Sequence, residues 1–267
     1  MSLQSRFAAV EREHGRGALV TVVAAEPGAT AVVGAKLLVI AGGACDGSLG
    51  DPELDAHARA YAEELMWAER SELREVHGAS LFVDFAAPPP RLILFGAVDF
   101  AAALCRMARA AGWHPYVVDP RSRFATRERF PDAEDIVVGW PREAFDRIGI
   151  DRATYIAVLT HDPKLDDPAL GIALDGEPAY IGAMGSRRAQ AKRRERLLEA
   201  GVPESELVRI AAPIGLDLGG LTAEETALSI MAEVVAVRNG REGGRLAHAG
   251  GRIHDVGDAS AGEPSLQ

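Results

Sequence analysis

Three consecutive prolines, Pro88-Pro89-Pro90, end the first third of this chain and break any regular element that reaches them. Proline has no backbone N–H and holds φ near −65°, so neither a helix interior nor a central strand absorbs such a run, and it acts as a stiff extended spacer. The hydrophobic pattern changes across it. Residues 1–87 show short β-branched runs, one helical stripe and a hairpin, whereas residues 88–239 alternate strand with helix, the signature of a parallel sheet covered on both faces. The expected fold is therefore α/β: a small N-terminal α+β domain (1–87) followed by a Rossmann-like parallel-sheet domain (88–239). From 240 to 267, 7 of 28 residues are glycine, several times the usual share of about 7%. That tail is expected to be mobile or loosely docked.

In the first part, residues 18–24 and 36–41 read as strands, and Gly47-Ser48-Leu49-Gly50 as a turn or loop leading into a helix. Asp51 suits the N-cap and Pro52 the first helical position, while Leu54, Ala58, Tyr61 and Leu65 form the apolar stripe. Residues 71–76 and 80–85 read as a hairpin through His77-Gly78-Ala79. In the second part the strands fall at 92–95, 116–118, 136–138, 155–159 and 179–183. The helices fall at 100–111, 141–148, 165–174 and 187–200. A last helix, 223–238, opens with the capping box Thr222-Ala-Glu-Glu225 and should bury Ala227, Ile230, Met231, Val234 and Val237.

Ligands of open parallel sheets bind outside the carboxyl ends of the strands, where strand order reverses. Four loops qualify. The first, Gly96-Ala97-Val98-Asp99, keeps one glycine of a dinucleotide fingerprint but has Val98 at the second, where a Cβ obstructs a pyrophosphate, so NAD(P) binding is doubtful. In the second, Asp119 could serve a ribose, or cap a strand end, and Arg121 could meet a phosphate. The third is Thr160-His161-Asp162, suited to acid/base work; its neighbouring His161 and Asp162 cannot be aimed together as a metal pair, and no metal site is expected. Asp166 reads as a helix N-cap or first-turn acid. The fourth is Gly185-Ser186-Arg187-Arg188, a glycine turn opening a helix with two cations. Cations at a helix N-terminus are unfavourable unless an anion arrives, so this loop points to an anionic ligand. The remaining basic residues from Lys192 to Arg196 read as a solvated face. Farther on, Asp217 lies in a glycine-rich return as a crevice residue or a turn former.

The formal net charge of −10 argues against nucleic-acid binding, which needs a basic footprint. With no apolar run of membrane-spanning length and no signal-type segment in residues 1–16, no membrane association and a cytoplasmic location are expected. With only two cysteines, Cys45 and Cys105, no structural disulfide is expected, and no nucleophile elbow is present. The first domain is small enough to need support, so a homo-oligomer, as a dimer, is expected.

Five ordered stretches together resemble the XdhC/CoxI family of accessory proteins for xanthine dehydrogenase and carbon monoxide dehydrogenase type molybdenum enzymes. They are Val118-Asp119-Pro120-Arg121, Glu128-Arg129-Phe130-Pro131, Leu159-Thr160-His161-Asp162 with Leu165-Asp166, residues 180–188, and Pro213-Ile214-Gly215-Leu216-Asp217 with residues 222–225. The resemblance implies binding of the molybdopterin form of the molybdenum cofactor as cargo. It also implies delivery to a molybdenum hydroxylase apo-enzyme, coupled in some members to a sulfurase step. Two departures stand out. The family's Gly-Gly-Cys reads Asp51-Pro52-Glu53 here, and its Gly-x-Gly-His stretch reads Gly96-Ala97-Val98-Asp99. The competing readings are an NAD(P)-dependent oxidoreductase and a nucleotide-sensing protein without catalysis.

Overall fold

A computed structural model describes residues 1–250, which divide into two compact units, Met1–Pro88 and Pro89–Ala249. The last 17 residues of the expected glycine-rich tail, 251–267, lie outside the described residues.

The first unit begins with helix α1 (Leu3–Arg12) and builds a five-stranded antiparallel sheet from β1 (Gly17–Ala25), β2 (Lys36–Ile40), β3 (Cys45–Ser48), β4 (Glu72–Val76) and β5 (Ala79–Ala86). The strand order is β3-β2-β1-β5-β4. Helix α2 (Pro52–Ala68) packs on one face. Its start follows local chemistry: the Asp51 carboxylate accepts from the N–H groups of Glu53 and Leu54, and Pro52 fills a position where no N–H is needed. Leu54, Ala58, Tyr61 and Leu65 are buried against Val20, Val22, Leu81 and Val83. One expectation is corrected. Gly47 and Ser48, read as loop, belong to β3, a strand whose four residues are all exposed and which forms through backbone pairing with β2. Apolar periodicity cannot reveal a strand that buries no side chain.

The second unit is a six-stranded parallel sheet of β6 (Arg91–Phe95), β7 (His114–Val118), β8 (Asp135–Val137), β9 (Thr154–Val158), β10 (Tyr180–Ala183) and β11 (Ile210–Ala211), in the order β11-β10-β9-β6-β7-β8. The chain runs outward from β6 through β7 to β8, then returns to the other side of β6 as β9. Strand order reverses between β6 and β9, as the Rossmann-like reading expects. Because side chains alternate along a strand, β6 sends Leu92 and Leu94 to one face and Ile93 and Phe95 to the other. The first face is covered by α3 (Asp99–Ala110) and α8 (Ala223–Arg238), the second by α4 (Pro141–Ile148), α5 (Pro163–Asp175) and α6 (Arg187–Glu199). A short α7 (Glu204–Leu207) precedes β11. Helix α8 carries the expected capping box and buries Ala227, Ile230, Met231 and Val234. Val237, expected inside, is 42% exposed because the helix's last turn has left the apolar cluster that ends at Val234.

The two cysteines sit in opposite environments. Cys45 is exposed on β3, whereas Cys105 is buried on α3, where burial pushes its thiol up to about 12. Since the thiolate is the reactive form, a disulfide-exchange reagent near pH 8 should titrate one thiol in the native chain and two in guanidinium. Two fast-reacting thiols in the native protein would contradict the packing of α3.

Candidate functional site

The loops that leave β6, β7 and β9 converge at the switch point and enclose a cleft of about 520 Å³ lined by Val98, Phe100, Arg121, Thr160, His161 and Asp162. Leu159 and Pro163 complete its apolar lining. The volume lies within the usual range for small-molecule sites, roughly 300–1,000 Å³.

The first loop is held open by glycine. Gly96 adopts φ +118°, and a Cβ there would stand 2.4 Å from Thr160 Cγ2, so the β6 and β9 ends approach closely because position 96 has no side chain. Val98 then occupies the N-cap of α3 without any side-chain hydrogen bond to the helix start. Helix starts carry unsatisfied N–H groups and a positive field, and here one opens on a cleft instead of being capped. Arg129 braces the loop from below, donating to the carbonyls of Ala97 and Phe124 at 2.9 Å and to Asp99.

Asp119 is fully buried, and its carboxylate is already engaged. It accepts from the Ala97 N–H at 2.9 Å, from the Arg121 N–H, and from Arg121 Nε and Nη2 at 2.9 and 2.8 Å. Burial raises its pKa, but these hydrogen bonds outweigh that and hold it below the ordinary carboxylate value. Asp119 thus clamps the first loop to the second and orients Arg121, whose guanidinium lies 4.8 Å from the Phe124 ring and remains half exposed.

Thr160 is buried and its hydroxyl is also committed: it donates to Asp166 Oδ1 and accepts from the Asp162 N–H at 3.2 Å. Asp162 caps α5 through the Lys164 N–H, and Asp166 is the first-turn acid. Here the structure supplies what the sequence did not. Asp166 is 1% exposed and pairs with Arg193 Nη2 at 2.9 Å, and Arg193 also donates to the Met184 carbonyl at 3.1 Å. Arg193, read as part of a solvated cationic face, is 4% exposed, because α6 packs on α5 and lays this residue against Asp166; Arg196 of the same run is partly buried there and pairs with Asp167. A continuous set of bonds, Thr160 to Asp166 to Arg193 to Met184, joins the third loop to the fourth. Burial pushes the Asp166 carboxyl above its ordinary value by more than the bonds from Thr160 and Arg193 pull it back.

The fourth loop adjoins the cleft without lining it. A Cβ at Gly185, which has φ +134°, would stand 3.9 Å from His161 Nδ1. Ser186 caps α6 by accepting from the Ala189 N–H at 3.3 Å. Arg187 and Arg188 are exposed. Arg187 lines a different cavity of about 400 Å³, between α6 and α7, and Arg188 lines neither. Asp217 is exposed in the coil before α8 and lines neither cavity. The structure therefore gathers Gly96, Asp119, Arg121, Thr160, His161 and Asp162 around one cleft, places Gly185 beside it, and leaves Ser186, Arg187, Arg188 and Asp217 outside its lining. Arg129 and Asp166 lie in the stretches that carry the family resemblance, and Asp166 also reads as a first-turn acid, but their bracing bonds to Ala97 and Arg193 span 32 and 27 residues, which local spacing does not show.

Among the described residues no helix is long and apolar enough to cross a membrane. The sequence model of the XdhC Rossmann domain matches residues 92–234, and that of the XdhC and CoxI family matches residues 10–77. A Bacillus subtilis protein described as a probable component of xanthine dehydrogenase is 30% identical over 159 residues, 60% of this chain and 46% of its own length. The molybdenum cofactor insertion chaperone PaoD of Escherichia coli is 30% identical over 151 residues, 57% of this chain and 41% of its own length. The chain thus matches less than half the length of either relative. In fold it is similar to the crystal structure of a xanthine dehydrogenase from Bacillus halodurans, with a TM-score of 0.53 at 18% identity, covering 93% of this chain and 98% of the other.

Proposed function

This chain belongs to the XdhC and CoxI family, and on that premise we propose that it is a maturation factor that binds the molybdopterin form of the molybdenum cofactor and hands it to a xanthine dehydrogenase-type hydroxylase. The observation that carries this reading is the uncapped N-terminus of α3 opening on the switch-point cleft beside Arg121. Free N–H groups at a helix start together with a fixed guanidinium suit a phosphate. Val98, Phe100, Leu159 and Pro163 offer apolar surface for a flat ring. Arg187 and Arg188, on the adjoining loop, add positive field at the rim. The cofactor is cargo here, so the chain's own task is capture, shielding and release; the names of the two curated relatives support the assignment of that cargo and of that class of partner.

The test is a titration of the full chain with molybdopterin cofactor freshly released from a molybdoenzyme, beside NAD+ and NADP+. Cofactor binding with negligible affinity for either dinucleotide is expected, because Val98 stands where a pyrophosphate would approach the backbone. Arg187 and Arg188 act only through their field from the rim, and exposed charges contribute about 0.2–1 kcal/mol each, so the double variant Arg187→Ala, Arg188→Ala should bind the cofactor roughly two- to thirtyfold more weakly. Free of ligand it should melt no lower than the parent, since both side chains are exposed and cations oppose the helix dipole. Full-strength binding by the double variant would remove the two arginines from the site. Micromolar NAD+ binding without cofactor binding would replace the whole reading with an oxidoreductase.

A further inference from the structure

We propose that the N-terminal unit carries a surface site for a divalent transition-metal ion of the zinc or nickel type, formed by Glu53, His57 and His77 and independent of the cleft in the second unit. Glu53 and His57 lie one turn apart on α2, the i,i+4 spacing that puts two side chains on one helix face. His77 comes from the tight turn between β4 and β5. One ligand atom from each of the three lies within 4.8 Å of the others, and the two imidazole rings approach to 4.7 Å between centroids at 55°. Ligand nitrogens on a tetrahedral ion sit about 2.0–2.1 Å from it, so small rotamer changes of these exposed side chains close the remaining gap.

Two further features favour a cation there. His57 Nδ1 lies 2.9 Å from the Glu53 carbonyl, which can only accept, so Nδ1 carries the proton and Nε2 presents its lone pair outward. Metal-ligating histidines are usually oriented by such a bond on the other nitrogen. The carboxylate of Glu26 adds negative charge beside the turn: a Cβ at Gly78 would stand 3.2 Å from its Oε2. Two imidazoles and one carboxylate suit zinc, nickel or copper rather than magnesium or calcium, and the open positions would hold water or a ligand from a partner. Sequence spacing could not reveal the set, because only the docking of the hairpin turn against α2 brings His77 to the helix.

The experiment is calorimetric titration of the EDTA-stripped full chain with Zn2+ in excess Mg2+. One saturable Zn2+ per chain is expected, retained in Cys45→Ser, which removes the exposed thiol as an alternative ligand. His57→Ala and His77→Asn should each weaken binding by at least about tenfold, the lower end of what losing even an outer partner of a metal costs. All three ligands are exposed, and asparagine tolerates the left-handed backbone of His77, at φ 50°, so the variants should keep the fold of the parent. No saturable binding, loss of binding in Cys45→Ser, or undiminished binding in the His57→Ala, His77→Asn double variant would each overturn the assignment.

Discussion

Gly96→Ala is expected to lower stability by about 2–4 kcal/mol, the sum of a left-handed backbone penalty and overpacking, and to remove ligand binding at the cleft. The residue combines φ +118° with a forbidden Cβ position 2.4 Å from Thr160 Cγ2. Relief is not available from a flexible neighbour. Thr160 is fixed by Asp166 and by the Asp162 N–H, and the Gly96 N–H is bonded to the Val118 carbonyl at 2.8 Å. The methyl group must therefore push the β6 and β9 ends apart or twist the first loop off Asp119, and either movement displaces the start of α3. Urea denaturation checks the stability and the cofactor titration checks the site. A variant with parental stability and binding would mean that the close approach of the two strands is dispensable.

Arg193→Ala should be somewhat more damaging, at about 3–5 kcal/mol, because removing one partner of a buried ion pair leaves the other charge without compensation. The size of the effect separates this arginine from its exposed neighbours Arg187 and Arg188, whose loss should leave stability unharmed. Arg193 is an awkward residue to bury: its Nε has no hydrogen-bond partner among the described residues. Replacing both charges with apolar groups of similar size, Arg193→Met with Asp166→Leu, should accordingly recover most of the loss in stability. Binding should not recover with it, since the bonds that join the Thr160 loop to the Met184 loop would be gone. The pH dependence gives an independent readout. The Asp166 carboxyl is already raised by burial, and losing Arg193 raises it further, so the folded variant holds a proton that the unfolded chain releases. Its deficit should be small below the ordinary aspartate pKa and should grow as pH rises through the folded value. A variant whose deficit is the same at pH 4 and pH 8 would show that Asp166 is not the group left exposed to the penalty.

The architecture was legible in the sequence because its determinants are local. Alternation along β6, the apolar stripe of α2, the Asp51 cap and the Thr222-Glu225 capping box each operate within a few residues, so their physics is visible in a short window. The order of strands and helices after the prolines was enough to place the crevice at the loops of Gly96, Asp119 and Thr160. What needed the tertiary structure was the partner of each polar group that does not cap its own helix. Asp119, read as a ribose ligand or a strand-end cap, and Thr160, read as a group facing the crevice, both spend their hydrogen-bonding capacity within the protein, on Ala97, Arg121, Asp162 and Asp166. β3 exists through pairing with β2, which its own composition does not announce.

The cationic run of α6 shows the division most directly. Sequence alone determined that a helix with six basic residues follows a glycine turn, since turn chemistry and capping are contained in residues 185–196. Which of those cations faces water and which is buried was decided only by the packing of α6 on α5, which brings Asp166 to Arg193 from 27 residues away. The cost of burying a charge depends on that distant partner, and no property of the run itself contains it.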